Sequence, residues 1–306
     1  MPDHWSMSQC TDCQSIWLNP RPDPLSLPRA YDNYYTHNIN SDDLPKNGVK
    51  GIAWRLVHGY LNNRFNMNLK PSTGWGYTLF TLIEPWRLKL DYYNRHLTPR
   101  NVGKPGKLLD IGCGNGAFLS RAAEMGWQAK GCEIDPKAVS ACHSIGLDVL
   151  EGDAFCPELK EQSFDVITMS HVIEHVHDQQ ALLQRTYDLL RPGGWLWLAT
   201  PNPQSIGKKI SGTAWHALHP PYHLCITSQT ILIDWLKDKG FTTIHHVRRG
   251  SHVRNVWNAS QFIARQERIP RLSSASLLCW RIISDCLSTI SPKWGEETVL
   301  LARKPV

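Results

Sequence analysis

The chain has 306 residues, 42% of them hydrophobic, 20% charged and 13 of them Trp, which suits one large domain or a domain with a small appendage and excludes a disordered or fibrous chain. The net charge of +6 is not gathered into a basic stripe; Lys208-Lys209 and Arg248-Arg249 are short basic clusters, so no nucleic-acid partner is expected and an anionic small molecule suits the charge as well. Nine Cys without a disulfide rhythm predict reduced thiols and a cytoplasmic protein, with no signal-peptide pattern at the start and no apolar run of membrane-spanning length.

Residues 1–50 read as an irregular segment holding Cys10-Thr11-Asp12-Cys13, a Pro-rich stretch from Asn19 to Pro24, and Tyr31, Tyr34 and Tyr35. Cys10 and Cys13 have zinc-knuckle spacing, but a structural zinc takes four ligands, and only His4 and His37 offer themselves as partners. Zinc is therefore expected, if anywhere, at an incomplete N-terminal site. Residues 51–100 read as a helical region: a helix over 52–69 with Trp54, Val57, Leu61 and Phe65 at helical spacing, a break at 71–76, and a second helix over 84–97. Residues 101–106 form a polar linker.

From 107 the pattern alternates. Strands are expected at 107–111, 128–133, 147–150, 164–169, 195–199, 241–247 and 298–303. Between them fall helices at 117–125, at 136–145 with Asp135 as N-cap and Gly146 as stop, at 179–190, and from Thr227 or Ser228 to Lys239. Residues 250–294 carry Val256, Trp257, Phe262 and Ile263, then Leu277 to Leu287. They read as an insertion of amphipathic helices packed on the sheet or forming a lid, with contact to a membrane surface as the alternative. Alternation of this kind implies a parallel sheet with helices on both faces, and ligands at the C-terminal ends of its strands.

The strongest motif is Leu108-Leu109-Asp110-Ile111-Gly112-Cys113-Gly114-Asn115-Gly116-Ala117: a strand, a glycine turn that lets backbone approach a ligand, and a helix N-terminus with free N–H groups. The glycines alone would also fit a dinucleotide. The acids argue otherwise. Asp110 would repel a pyrophosphate but suits the cationic end of an amino-acid moiety. Glu133, in Gly131-Cys132-Glu133-Ile134-Asp135, is placed to accept bonds from ribose hydroxyls. Asp153, in Gly152-Asp153-Ala154-Phe155, can accept from an adenine amino group with Ala154 beside the ring.

This constellation resembles the class I S-adenosylmethionine-dependent methyltransferases. LLDIGCGNGAFL, GCEID, EGDAF, FDVITMSHVIEHV and LRPGGWLWLATPN follow the family's order over about residues 105–205. The resemblance implies a Rossmann-like α/β fold with a seven-stranded sheet whose last strand is antiparallel, built from 101–306. It also implies a cofactor site of Asp110, Gly112, Cys113, Gly114, Asn115, Glu133, Ile134, Asp153, Ala154, Ser170 and His171.

The acceptor side should follow the fourth and fifth strands. Ser170-His171-Val172-Ile173-Glu174-His175-Val176-His177 supplies three His and a Glu, and Glu174-His175 matches a common family turn. His223, in the loop that also holds His216 and His219, is the favoured general base, with His175 and His171 as further candidates. Some ubiquinone-pathway O-methyltransferases resemble this stretch and hold a metal with the matching Glu-His pair, although their further carboxylate falls at His171 here. A subset with an N-terminal zinc element of two Cys pairs also resembles this chain, with its first pair absent. That likeness favours a small-molecule acceptor from sugar-nucleotide or polysaccharide metabolism, with Lys208 and Lys209 toward phosphate. A phenolic or quinone acceptor and a non-catalytic cofactor-binding module are the alternatives. The acceptor atom and the oligomeric state stay open.

Overall fold

A computed structural model of the chain describes residues 5–23, 26, 48–249 and 253–306. His4, His37, Tyr31, Tyr34 and Tyr35 lie outside the described residues. The chain opens with strands β1 (Met7–Gln9) and β2 (Ile16–Leu18), then helices α1 (Gly48–Phe65), α2 (Trp75–Leu82), α3 (Glu84–Tyr93) and α4 (Pro99–Val102). Next come β3 (Lys107–Ile111), α5 (Ala117–Glu124), β4 (Gln128–Glu133), α6 (Pro136–Ser144), β5 (Val149–Glu151), β6 (Phe164–Ser170) and α7 (Gln179–Leu189). The remainder holds β7 (Leu190–Pro201), α8 (Ile206–Ser211), β8 (Cys225–Ile226), α9 (Gln229–Asp238), β9 (Thr243–His246), α10 (Val253–Gln266), α11 (Ser274–Ile290) and β10 (Glu297–Arg303).

A seven-stranded sheet has the order β5-β4-β3-β6-β7-β10-β9. Strands β3, β4 and β5 run parallel, and β10 lies antiparallel to β9 with Leu300 opposite His246. Leu108, Leu109 and Ile111 on β3 and Val166, Ile167 and Met169 on β6 are all buried, as strands covered on both faces require. Asp135 caps α6, its side chain accepting from the Lys137 N–H at 3.0 Å, and Gly146 stops it at φ 79°. A three-stranded sheet joins β1, β2 and β8.

The chain divides into two compact units. One takes 35–168 and 188–196. In it Tyr60, Phe65 and Phe80 of the helical region share one core with Leu108, Leu119, Trp127 and Val149. The expected boundary near residue 100 is therefore not a boundary between cores: α1 and α2 have no apolar centre of their own to form a separate domain. The other unit holds the N-terminal residues, 169–187 and 197–305. Its apolar clusters gather Ile16, Trp215, Leu218 and Ile226, and Ile206, Val253 and Trp257.

Three departures from the sequence reading have physical causes. Residues 5–23 are a β-hairpin rather than irregular, because Ile16 and Leu18 point inward with exposed Trp17 between them, an alternation too short to detect. Helix α2 occupies part of the expected break. Helix α3 stops at Tyr93 because Arg95 and His96 take left-handed backbone at φ 49° and 54°, which apolar periodicity does not register. Among the described residues no helix is long and apolar enough to cross a membrane.

Candidate active site

The glycine turn forms because a chain leaving β3 must reverse tightly into α5. Gly112, Gly114 and Gly116 sit at φ 66°, 53° and 74°, backbone that side chains with a Cβ disfavour. The N–H groups of Gly112 and Cys113 donate to the Cys132 carbonyl at 2.9 and 3.2 Å, tying the turn to the end of β4. Glu133, buried, accepts from the Gly114 N–H at 2.8 Å through Oε2 and from the Asp135 N–H at 3.1 Å through Oε1. A carboxylate has about four acceptor sites, so Glu133 holds the turn and retains lone pairs for hydroxyl donors. Asp153 is exposed at the end of β5, with Oδ1 accepting from the Phe155 N–H at 2.8 Å. Ala154, next in the chain, is buried, while Phe155 and Ile134 are exposed.

Asp110 has a different role from the one read in the sequence. It is fully buried, and its carboxylate is bound by both terminal nitrogens of the Arg95 guanidinium and by the Thr168 hydroxyl, the latter at 2.8 Å. Its charge is thus compensated inside the protein rather than held open for a cationic ligand. Burial pushes the carboxyl's pKa up, and Arg95 and Thr168 oppose that shift. Arg95 also lies 3.8 Å from the Phe118 ring centroid, over α5. No sequence motif marks Arg95 or Thr168. Cys113 is buried, which drives its thiol pKa up, and Asn115 accepts from the Ala117 N–H at 3.2 Å.

In the other unit, Ser170 ends β6 half-buried, and His171 turns the chain at φ 53°, its N–H donating to the Ala199 carbonyl at 2.8 Å. Glu174, fully buried, is the centre of a cluster. It accepts from the Thr200 hydroxyl at 3.0 Å, meets His171 Nδ1 at 3.1 Å, and lies 3.9 Å from His223 Nε2. On its other side His171 Nε2 lies 3.5 Å from Glu297. Desolvation pulls the His171 imidazole down, but the hydrogen bonds and charges of Glu174 and Glu297 outweigh it and hold its pKa up to about 10. Desolvation likewise raises Glu174, and its histidine neighbours overcome that and bring it down to about 2. The result is an imidazolium–carboxylate pair at neutral pH, so His171 is not the base that the sequence suggests.

His175 and His223 are of another kind. His175 Nδ1 bonds the Tyr222 carbonyl at 3.0 Å and His223 Nδ1 bonds the Ala217 carbonyl at 2.7 Å. A carbonyl only accepts, so both Nδ1 atoms carry the proton and both Nε2 atoms keep a lone pair. Burial lowers both pKa values, His223 to about 3, and His219 falls to about 4 for the same reason. The two rings stand edge to face at 4.7 Å.

Among the described residues, the side chains that gather at metal-ligand distances are Glu174, His175 and His223, whose ligand atoms lie within 4.8 Å of one another. Cys10 and Cys13 are not in such a group: Cys13 bonds the Ser15 hydroxyl at 3.3 Å in the N-terminal hairpin. Lys208 is half-buried with its ammonium 3.3 Å from the Gly212 carbonyl, and Lys209 lies over the Trp294 ring at 4.5 Å. A residue that the sequence did not flag, Glu296, is buried and accepts from the indole N–H groups of Trp215 and Trp257 at 2.9 Å each, the Gly207 N–H at 2.9 Å and the Ser205 hydroxyl at 3.2 Å. It fixes the start of α8, Trp215 before the histidine loop, and α10.

The family described as "Methyltransferase domain" matches residues 86–246. The ubiquinone biosynthesis O-methyltransferase of Paraburkholderia phymatum is 33% identical over 127 residues, covering 39% of this chain and 52% of that protein. Methyltransferase str2 of Strobilurus tenacellus is 35% identical over 111 residues, covering 34% of this chain and 39% of that protein. The chain spans about half the length, or less, of these curated relatives. A SAM-dependent methyltransferase from Archaeoglobus fulgidus shares the fold at a TM-score of 0.51 and 20% identity, over 74% of this chain and 99% of that one. Because the match takes in more than half of its residues, the chain belongs to the methyltransferase-domain family.

Proposed function

We propose that this protein transfers a methyl group from S-adenosylmethionine to a hydroxyl of a small aromatic acceptor. The observation that carries the cofactor assignment is Glu133: one buried carboxylate fixes the glycine turn through the Gly114 N–H and keeps acceptor sites for a ribose. Gly112, Gly114 and the N-terminus of α5 would take the amino-acid end of the cofactor, and Asp153 with Ala154 the adenine. The cofactor supplies a methyl on a sulfonium, which an acceptor lone pair displaces in line.

What remains for the protein is to hold the acceptor and take its proton. His175 and His223 each present a neutral Nε2, and both Nδ1–H groups are anchored on carbonyls. His223 is buried between His175 and His219, which makes it a weak base, so we assign proton removal to the half-exposed His175. His171 contributes a fixed positive charge. The aromatic acceptor rests on the ubiquinone-biosynthesis relatives. The ammonium of Lys208, the expected phosphate contact of a sugar-nucleotide acceptor, is turned to a carbonyl.

Titration with S-adenosylhomocysteine, with NAD as control, tests the cofactor. Micromolar binding that weakens in Asp153→Ala and is absent for NAD supports the assignment. A folded protein that binds neither overturns it.

A second reading is favoured by one observation: ligand atoms of Glu174, His175 and His223 lie within 4.8 Å of one another. Those three residues would hold a divalent cation, which would acidify an acceptor hydroxyl. Calorimetric titration of chelator-treated protein with zinc or magnesium, repeated on His223→Ala, separates this reading from base catalysis alone. Binding that the variant abolishes supports the cation.

A further inference from the structure

Helix α11 turns a mixed face inward and leaves apolar side chains outside. Its buried positions are Ser284 and Ser288, flanked by the partly covered Leu277, Trp280 and Leu287 against the cluster of Ile206, Val253 and Trp257. The opposite face carries Leu278, Ile282, Ile283 and Ile290, which are 55%, 56%, 41% and 75% exposed, together with exposed Cys279 and Cys286. At 100° per residue these six fall within one arc of about 140°, which also holds Ala275 and the half-buried Thr289. Phe262 on α10 adds a further exposed ring. Exposed apolar residues are ordinary when scattered, but a stripe gathered on one face marks a surface that meets something.

The charges around the stripe say what. Arg265, Arg268 and Arg271 are exposed just before α11 and Lys293 just after it, with Glu267 the exposed acid among them; Asp285 is only half-exposed. We propose that this face docks on an anionic lipid surface, the stripe lying at the acyl–headgroup boundary and the basic side chains on headgroup phosphates. Two copies of α11 packed antiparallel would place Lys293 of one near the arginines of the other, so the same basic flanks oppose self-association. The inference does not depend on the acceptor or on the cofactor assignment.

Flotation of the full chain with vesicles tests it. Binding is expected to vesicles of phosphatidylcholine with phosphatidylglycerol, weakened by high salt, and not to phosphatidylcholine alone. Ile282→Asp should lower the affinity about ten-fold, and so should the combined Arg265→Glu, Arg268→Glu and Arg271→Glu variant. Each variant should keep the parent's melting temperature, which shows that the fold is intact. The proposal is overturned if folded protein ignores anionic vesicles or if Ile282→Asp binds them as well as the parent. It is equally overturned if the free protein is a dimer that Ile282→Asp converts to monomer, since a second copy would then cover the face.

Discussion

The turn at Gly112–Gly116 and the cluster around Glu174 each depend on one buried carboxylate, yet they are made of different material. Glu133 holds backbone: it accepts two N–H groups and leaves a cradle lined by peptide. Glu174 holds side chains: a hydroxyl, a charged imidazole and a nearby neutral one. Backbone donors keep their state at any pH and can serve a fixed ligand common to a family. Side chains titrate and can be exchanged, which suits the part of an enzyme that defines its own acceptor.

The largest effect should come from Glu174→Ala. It leaves the Thr200 hydroxyl and an imidazolium without their acceptor; with the His171 side chain 40% exposed to solvent, the loss should cost about 2–3 kcal/mol, measurable by chemical denaturation. The His171 imidazole should then titrate well below 10, as followed by NMR. An unchanged His171 would show that Glu297 alone holds its charge. Next, Glu133→Ala should cost about 1–3 kcal/mol by stranding two N–H groups and should weaken S-adenosylhomocysteine at least about ten-fold. If affinity survives, the cradle does not need its carboxylate.

Acid separates the regions further. His219 and His223 have folded pKa values of about 4 and about 3 against an ordinary 6.5. The unfolded chain takes up protons that the folded one refuses, so their stabilising contribution is full above pH 6.5 and is lost as pH falls toward 3. His171 has the opposite sign: its raised pKa contributes below 6.5 and is lost as pH climbs through about 10. Melting temperature should therefore fall on both sides of a neutral plateau. His223→Phe should flatten the acid limb, and a limb that keeps its slope would assign it to other groups. The smallest effect is Gly114→Ala: a Cβ there meets nothing within 4 Å, so the change should cost only the left-handed backbone penalty, about 1 kcal/mol, read by denaturation.

These differences explain what the sequence could tell. The cradle lies in three short stretches at successive strand ends, and consecutive residues keep their order when they fold, so Gly112, Gly114, Glu133 and Asp153 could be singled out together. Strands 107–111 and 128–133 were legible to the residue, the first because its apolar run ends at Gly112. The cluster draws on positions 171–175, 200, 223 and 297, joined only by the fold, and the histidines could be named but not sorted. Which one is charged depends on Glu174 and also on Glu297, nearly 130 residues from His171 in sequence. Arg95 was invisible for the same reason: it reaches Asp110 only because the chain turns left-handed at the end of α3. On α11 the periodicity predicted an amphipathic helix but could not say that serines would face inward.

The N-terminal hairpin carries a consequence for how much of this chain can stand without it. Strand β2 pairs with β8, Ile16 opposite Ile226, and the Leu18 N–H donates to the Leu224 carbonyl at 3.0 Å. A chain shortened to begin at residue 48 would keep every residue of the family match at 86–246. It would also open one flank of β8 and uncover Trp215, Leu218 and Ile226, which now close over Ile16. A bare strand edge beside apolar side chains recruits other chains. The shortened protein is expected to aggregate, because its first strands act as a built-in plug against self-templating.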